Sequence, residues 1–426
     1  MKLSWKFWQK KAASFATLNS ENPFLEELGL LAYSNIIAAT AHGALALYRR
    51  SSAVSIPIRL IANNVSMIKP VLIKKGEVVL EHDLLKLLMN PSTDLSANLF
   101  FKSLSIFHSV TGQAFVWAGG NINKPPLALD VVNPINVSIN ADLRGGILSI
   151  DVTSGPYQGN YKAQNIKGSI RYVLNEFSEI GLIRSFSSMP DERSFVGESP
   201  LKNVAMEIQQ LVEGSQHNSA LLRNGGRLSL LFSLKEELSP DQYEAAKSAI
   251  FVQYEGTSNS GKIGVVGAGE VNVKEFGISP KDLDFKELQQ LARNCVAMQY
   301  GVPIPLVDNQ KSTFNNLETA NEMLFDNAVE PSVREILAGL KFYLFPRFGM
   351  ADFQLSFDRT ELPILRARFI KELKERKEAG VETPNELRSL INREPLTQGG
   401  DDLYLPATMI PIASDQFTDD NPEVMD

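Results

Sequence analysis

Apolar positions along the chain change period several times. Between residues 24 and 50, Phe24, Leu25, Leu28, Leu31, Ile36, Ile37, Ala41 and Leu45 recur at helical spacing. From Ser55 to Val79 the pattern reads as β: Ile58 and Leu60, then Val71 and Ile73, with turn-like Asn63-Asn64 between them and Lys75-Gly76 after them. A short helix, Asp83 to Met89, stops at Asn90-Pro91, and a longer one runs from Ser96 to Val110. Ala114 to Ser149 and Ile150 to Val173 carry short strands between Gly, Asn and Pro turns. These elements predict one α+β domain over residues 51 to about 195.

The second half is more helical and repeats one device. Ser199-Pro200, Ser239-Pro240, Ser279-Pro280 and Thr383-Pro384 each place a hydroxyl cap before a proline at the first helical position. Proline is tolerated there because that amide has no intrahelical acceptor. Ser239 with Gln242, and Thr383 with Glu386, have the spacing of full capping boxes. The pattern predicts a helix from Leu201 to about Leu222 and a unit of strand (Leu228–Leu234), helix (Asp241–Tyr254), Gly/Ser hinge (Gly256–Gly261) and two strands (Lys262–Val266, Val271–Phe276). A helix from Lys281 to Tyr300 and one from about Asn315 to Phe345 follow, the latter kinked near Glu330 by Pro331. Strand Phe353–Phe357, a charged helix Leu365–Ala379 and a capped helix Pro384–Asn392 complete the pattern.

The sharpest feature lies between Leu291 and Pro331. Gly301 suits the left-handed residue that closes a helix, and Pro303 and Pro305 discourage continuation. A polar loop then runs from Asp308 through Asn309, Gln310, Lys311, Ser312 and Thr313 before the next helix.

Composition narrows the chemistry. The 426 residues allow two or three domains, and no apolar run approaches the length of a bilayer span. The start of the chain mixes Trp5, Phe7 and Trp8 with four lysines and reads as a peripheral amphipathic arm. The single Cys295 excludes an internal disulfide and a multi-thiolate metal site. On the stripe Leu288, Leu291, Cys295, Met298 it reads as a small buried hydrophobe. His42, His82, His108 and His217 are isolated in sequence, so neither zinc nor a histidine acid–base pair is expected. The formal charge of −7 argues against general nucleic-acid affinity, which needs basic clusters. Gly264, Gly267 and Gly269 have neither dinucleotide nor Walker spacing, and a strand is predicted after them where a phosphate loop needs a helix. Asp401-Asp402 and Glu236-Glu237 sit in turn-rich stretches and read as solvated faces. In the charged helix, Glu372 stands four before Arg376 and Lys374 four before Glu378, an ion-paired surface or a subunit contact. No cofactor is expected and no enzymatic constellation is visible.

In order and spacing, several pieces resemble the portal proteins of tailed bacteriophages, of the siphophage type. They are Leu84 to Pro91, Thr111-Gly112-Gln113-Ala114-Phe115-Val116, Gly197 to Leu201, Leu222 to Gly225, Tyr300 to Leu306, Thr383 to Arg388, and Gly399-Gly400-Asp401-Asp402 before Leu405-Pro406. The resemblance runs from about Ala41 to Pro406. It implies a portal-like α+β fold with wing, helical stem, small α/β clip and helical crown. Its divisions are an N-terminal arm and helix (1–50), wing (51–200), stem helix (201–223), clip (224–278), second stem helix (279–301), tunnel loop (302–316), long kinked helix and wing return strand (317–362), crown (363–412) and a disordered acidic tail (413–426).

The implied function is a ring, usually of twelve subunits, at one capsid vertex, formed in the host cytoplasm and carried in the virion. Double-stranded DNA would pass through it without sequence specificity. The partners implied are the large terminase, the major capsid protein or scaffold, and head-completion proteins, with no membrane. Asp308 to Thr313 would face DNA; Gly256, Thr257, Ser258, Asn259, Ser260 and Lys262 would face the terminase. Acidic chains around a lumen would repel phosphate and keep DNA mobile, while Lys311 fits either a weak backbone contact or a solvated loop charge. Two other readings stay open: a connector or adaptor ring that never meets the motor, and a nucleotide-dependent enzyme around Gly264 to Gly269. A gene-transfer particle could use the same chain.

Overall fold

A computed structural model describes residues 41–79, 81–141, 146–166, 168–184, 197–223, 229–234, 271–276, 285–308, 314–359, 362–390 and 393–404. Helices α1 (Ala41–Arg50) and α2 (Ser52–Val65) precede a hairpin of β1 (Pro70–Lys74) and β2 (Glu77–Val79). After α3 (Asp83–Met89) and α4 (Ala97–Thr111) come β3 (Gln113–Gly119), β4 (Ala128–Val132), β5 (Val137–Ala141), β6 (Ile147–Val152), β7 (Gly159–Ile166), β8 (Ser169–Asn175) and β9 (Ser178–Arg184). The rest comprises α5 (Ala205–Arg223), β10 (Ser229–Leu234), β11 (Val271–Phe276), α6 (Phe285–Gln299), α7 (Phe314–Leu324), α8 (Glu330–Phe348), β12 (Phe353–Phe357), α9 (Pro363–Glu378) and α10 (Pro384–Leu390). The mixed helix-and-sheet architecture expected from the sequence is present.

The seven-stranded antiparallel sheet has the order β4-β3-β9-β8-β7-β6-β5. Its edge strands β4 and β5 are consecutive in sequence, joined only through the 3₁₀ turn Pro134–Asn136. Such a link spans at most about 17 Å, so the two edges must approach and the sheet curls strongly on itself. Phe115, Val132, Ile150, Val152, Tyr161 and Ile180 fill the inside of the curl. Alternate residues of β3, Ala114, Val116 and Ala118, face outward into the main core with α2, α4 and α8. Glycines allow close approach of α8: a Cβ on Gly181 would strike the Tyr343 ring, and one on Gly339 would strike Ile183.

The stretch from Ser55 is not a strand. Val54, Ile58, Ile61, Ala62 and Val65 are buried on one face of helix α2, with Pro57 inside it. The alternation at Ile56, Ile58 and Leu60 is a three-residue coincidence within a 3.6-residue period. Asn64, expected in a turn, lies in the last turn of the helix, where its side chain donates to the Leu60 carbonyl at 2.9 Å. Pro70–Lys74 and Glu77–Val79 are strands as expected, and β1 also pairs with β12, Val71 standing opposite Ser356, 285 positions further along the chain.

A buried ionic cluster that no sequence pattern announces pins α8 to the sheet. Glu179 on β9 is fully buried and accepts from Nε of Arg171 at 3.0 Å and from its Nη2. Arg347 Nη1 lies 3.7 Å from the same carboxylate. The remaining Arg347 donors reach the carbonyls of Lys124 (3.2 Å) and Asn121 (3.1 Å). Burial raises the Tyr343 hydroxyl well above its ordinary range, with the Glu179 charge adding to it, so it stays protonated beside the guanidinium. Replacing Glu179 by Gln leaves two buried guanidinium groups without their anion. The expected loss is about 3–5 kcal/mol of stability, read as a lower melting temperature or denaturant midpoint.

Candidate functional site

The break between α6 and α7 is built as its residues predict. Gly301 has φ +66. Its amide bonds the Met298 carbonyl at 2.9 Å, and the Val302 amide reaches back to Ala297 at 2.9 Å. These two bonds form a Schellman closure. Gly301 is required for a second reason, since a Cβ there would lie 2.9 Å from the Asn327 carbonyl oxygen. Pro303 and Pro305 then lead into a 3₁₀ turn, Ile304–Leu306. Asp308 sits at the root of the loop: its amide bonds Ile304 O at 2.8 Å, and its carboxylate accepts from Gln290 Nε2 at 2.9 Å.

Across the break, the kink expected at Pro331 appears as a π turn, Phe325–Val329, between α7 and α8. Proline has no amide for the carbonyl four residues earlier, that of Asn327, so the helix widens there. Gly301 packs on that same carbonyl.

Distant pieces converge on the C-terminus of α4. Gly112 closes this helix with φ +73, and its amide bonds His108 O at 2.9 Å. The Tyr300 hydroxyl donates to Ser109 O at 3.0 Å, and Ser199 Oγ donates to Val110 O at 2.6 Å. Burial pushes the Tyr300 hydroxyl pKa upward, which keeps that donor protonated. Ser199 also accepts from the Leu201 amide at 3.3 Å, the cap expected of it, although the helix opens with a 3₁₀ turn (Pro200–Val204) before α5. Gly112 and Gly197 bring two backbones together, and a Cβ on either would collide with the other segment.

The second described cap is also as expected. The Thr383 amide donates to Glu386 Oε2 at 2.8 Å, and the Glu386 amide donates to Thr383 Oγ1 at 3.2 Å. Next to it, Asn385 holds the closing segment through its amide to Gly400 O (2.8 Å) and its Nδ2 to Asp401 Oδ1 (2.8 Å). Asp401 and Asp402 are exposed, as read. In α9, Arg376 pairs with Glu372 at 2.9 Å and Lys374 with Glu378 at 3.7 Å.

Two expectations change. Leu288, Leu291 and Met298 do not line the core; they are 45%, 58% and 57% exposed. The buried face of α6 is formed by Ala292, Val296 and Ala297, small or branched residues that let α2 and α5 approach, and Cys295 is half-buried beside them. Leu288, Leu291 and Met298 therefore form an exposed apolar stripe along α6, and Met206 on α5 is exposed as well. His108, isolated in sequence, meets a distant carboxylate in space, its Nε2 lying 3.4 Å from Glu335 Oε2; burial lowers its pKa to about 4, so near neutral pH it is uncharged. His82 caps α3, its Nδ1 accepting from the Leu84 amide at 3.1 Å.

Ser239, Ser279, Asn309, Gln310, Lys311, Ser312, Thr313, Gly256, Thr257, Ser258, Asn259, Ser260, Lys262 and the glycines 264, 267 and 269 lie outside the described residues. β11, after those glycines, is a strand paired with β10, as expected. Among the described residues no group of three metal-ligating side chains occurs, and no helix is long and apolar enough to cross a membrane.

The chain belongs to the phage portal protein family, whose sequence profile matches residues 52–392. That family is structural rather than enzymatic. A protein of Rickettsia bellii (strain RML369-C) is 24% identical over 403 residues, 93% of this chain and 99% of its own length. The portal protein of Escherichia phage T5 is 23% identical over 205 residues, 47% of this chain and 48% of its own. Among solved structures, the fold is similar to a chain from the neck of a native gene transfer agent particle computed with C12 symmetry, with TM-score 0.57, 22% identity, and 85% and 99% of the two chains covered. An HK97 family phage portal protein from Corynebacterium diphtheriae gives TM-score 0.52 at 14% identity, covering 78% and 98%.

Gly301→Ala should cost about 1–2 kcal/mol for the left-handed backbone alone, and more through the Asn327 contact. Chemical denaturation checks this; an unchanged midpoint would mean that the break relaxes without cost.

Proposed function

We infer that copies of this chain close into a ring around an axial DNA channel at one vertex of a phage capsid or gene-transfer particle. The observation that carries this reading is the exposed apolar stripe of Leu288, Leu291 and Met298 along α6. The opposite face of α6 is packed through Ala292, Val296 and Ala297, and exposed apolar surface of this kind marks a contact with another molecule. Ring closure requires head-to-tail contacts between unlike faces of neighbouring copies, and twelve is the number suggested by the symmetry of the similar neck.

On this reading α5 and α6 are the stem, and residues 224–278 are the clip that meets the large terminase and later the head-completion proteins. Residues 309–313 extend the anchored root at Asp308 toward the channel. A chain of net charge −7, repeated around a lumen, disfavours sticking of phosphate, and Lys311 supplies one cation per copy. The crown, 363–412, lies toward the capsid interior, and the outer surface meets the capsid protein or scaffold. The function is mechanical and needs no cofactor. The adaptor-ring alternative differs in lacking a motor contact.

Terminase capture separates the two. Deleting residues 224–278, or replacing Thr257 and Asn259 by Ala and Lys262 by Glu in the full chain, should abolish capture of the large terminase while leaving assembled rings intact. Undiminished capture by rings of both variants would defeat the clip assignment.

A further inference from the structure

Two helix faces of opposite charge lie open on the same chain. Residues 41–65, which include α1 and α2, contain three arginines and no carboxylate. Helix α2 buries Val54, Ile58, Ile61 and Val65, which leaves a narrow free face of Ser52, Ile56 and Arg59 at helical spacing. Ile56 is 42% exposed there. Arg49 and Arg50, both exposed, end α1 just before that face. Arg59 stands close enough to Tyr48 for its charge to oppose the upward shift that burial gives that hydroxyl, so the three arginines share one corner. Among the described residues none of the three has an ion-pair partner, whereas Arg171, Arg334, Arg359, Arg368 and Arg376 do.

The opposite charge belongs to α7. Its only charged residues are Glu318 and Glu322, four apart, with Met323 next to them at 48% exposed. Ala320 and Leu324 form the buried side of the helix. A cation does reach this region from α9, but Arg368 is held by both oxygens of Asp326, and Glu322 lies only within its field. Glu318 is exposed and has no ion-pair partner among the described residues. Two like charges at this spacing repel along a helix, so the face gains from a cation supplied by another molecule.

Both faces adjoin α6, whose exposed stripe is assigned to the contact between copies. Helix α2 packs on α6 itself, and α7 packs on the 3₁₀ turn that follows it. Among the described residues no ion pair joins the two faces within one copy. In a closed ring each copy turns unlike faces to its two neighbours.

We propose that Arg49, Arg50 and Arg59 of one copy pair with Glu318 and Glu322 of the next, with Ile56 set against Met323. The pairing rests on the ring reading and names a second contact beside the α6 stripe. Opposite charges across such a contact fix its register and exclude the wrong neighbour. A phosphate backbone would also attract the arginines, but it gives no cover to Ile56 and leaves Glu318 and Glu322 without a cation.

The test reverses each face separately in the full chain. One variant carries Arg49→Glu, Arg50→Glu and Arg59→Glu, the other Glu318→Arg and Glu322→Arg. Alone, each sets like charges opposite one another, and its yield of rings in native mass spectrometry should fall roughly tenfold or more. Mixed in equal amounts, every reversed face meets its opposite, and rings containing both variants should return to near the wild-type yield. Wild-type yields from either variant alone would overturn the pairing and leave the ring reading intact. So would a failure to recover on mixing two variants that both keep the wild-type melting temperature. Intact rings from the arginine variant that no longer retain duplex DNA would assign the arginines to phosphate, and likewise overturn it. If a reversal unfolds the chain, Arg49→Gln, Arg50→Gln and Arg59→Gln together decide: rings should dissociate at lower salt than wild type, and an unchanged salt midpoint would overturn the pairing. A wild-type chain that never forms rings would remove the ring reading and the pairing together.

Discussion

The last carbonyls of a helix have no partner within it and must find one elsewhere. At the end of α4 those partners come from the whole length of the chain. Gly112 closes the helix locally, Ser199 reaches Val110 O from the segment before α5, and Tyr300 reaches Ser109 O from the end of α6. One buried helix end therefore fixes where α5 begins and where α6 stops. The start of α5 and the end of α6, the two helices proposed as the stem, are held together there.

From that point constraints pass outward through backbone contacts. Tyr300 leads into Gly301, which rests on the Asn327 carbonyl that Pro331 leaves without its usual donor. The π turn there sets the direction of α8. At its other end α8 is held by Arg347 against Glu179 and by Gly181 and Gly339 against the sheet. The break that ends at Asp308, the long helix and the curled sheet are thus one connected frame.

Much of this was legible where a local rule decides the outcome. Ser199, Thr383 and Gly301 do what their caps and spacing predict, because capping depends on neighbours in sequence. Pro331 marked the disturbed turn, though not its π form. The failures arose where burial depends on distant partners. Ile58 and Leu60 looked like a strand until α2 was packed on α4, and Leu291 looked buried because a stripe on α6 says nothing about which face the protein covers. The Arg171, Glu179 and Arg347 cluster left no trace at all, since its members are 168 positions apart between Glu179 and Arg347 and share no motif. Gly112, Ser199 and Tyr300 lie in separate pieces of the family resemblance, and their meeting at α4 appears only in three dimensions.

Ring closure on this reading depends on the exposed apolar stripe of α6 being a contact between copies. Native mass spectrometry of the purified full chain, beside a Leu291→Asp variant, tests it most directly, with electron microscopy to show the shape. The account predicts closed rings of about twelve copies with an open centre, and folded, unassembled chains for the variant. Rings that form equally well with Leu291→Asp, or a wild-type chain that remains a monomer even when co-expressed with its capsid and scaffold proteins, would contradict it.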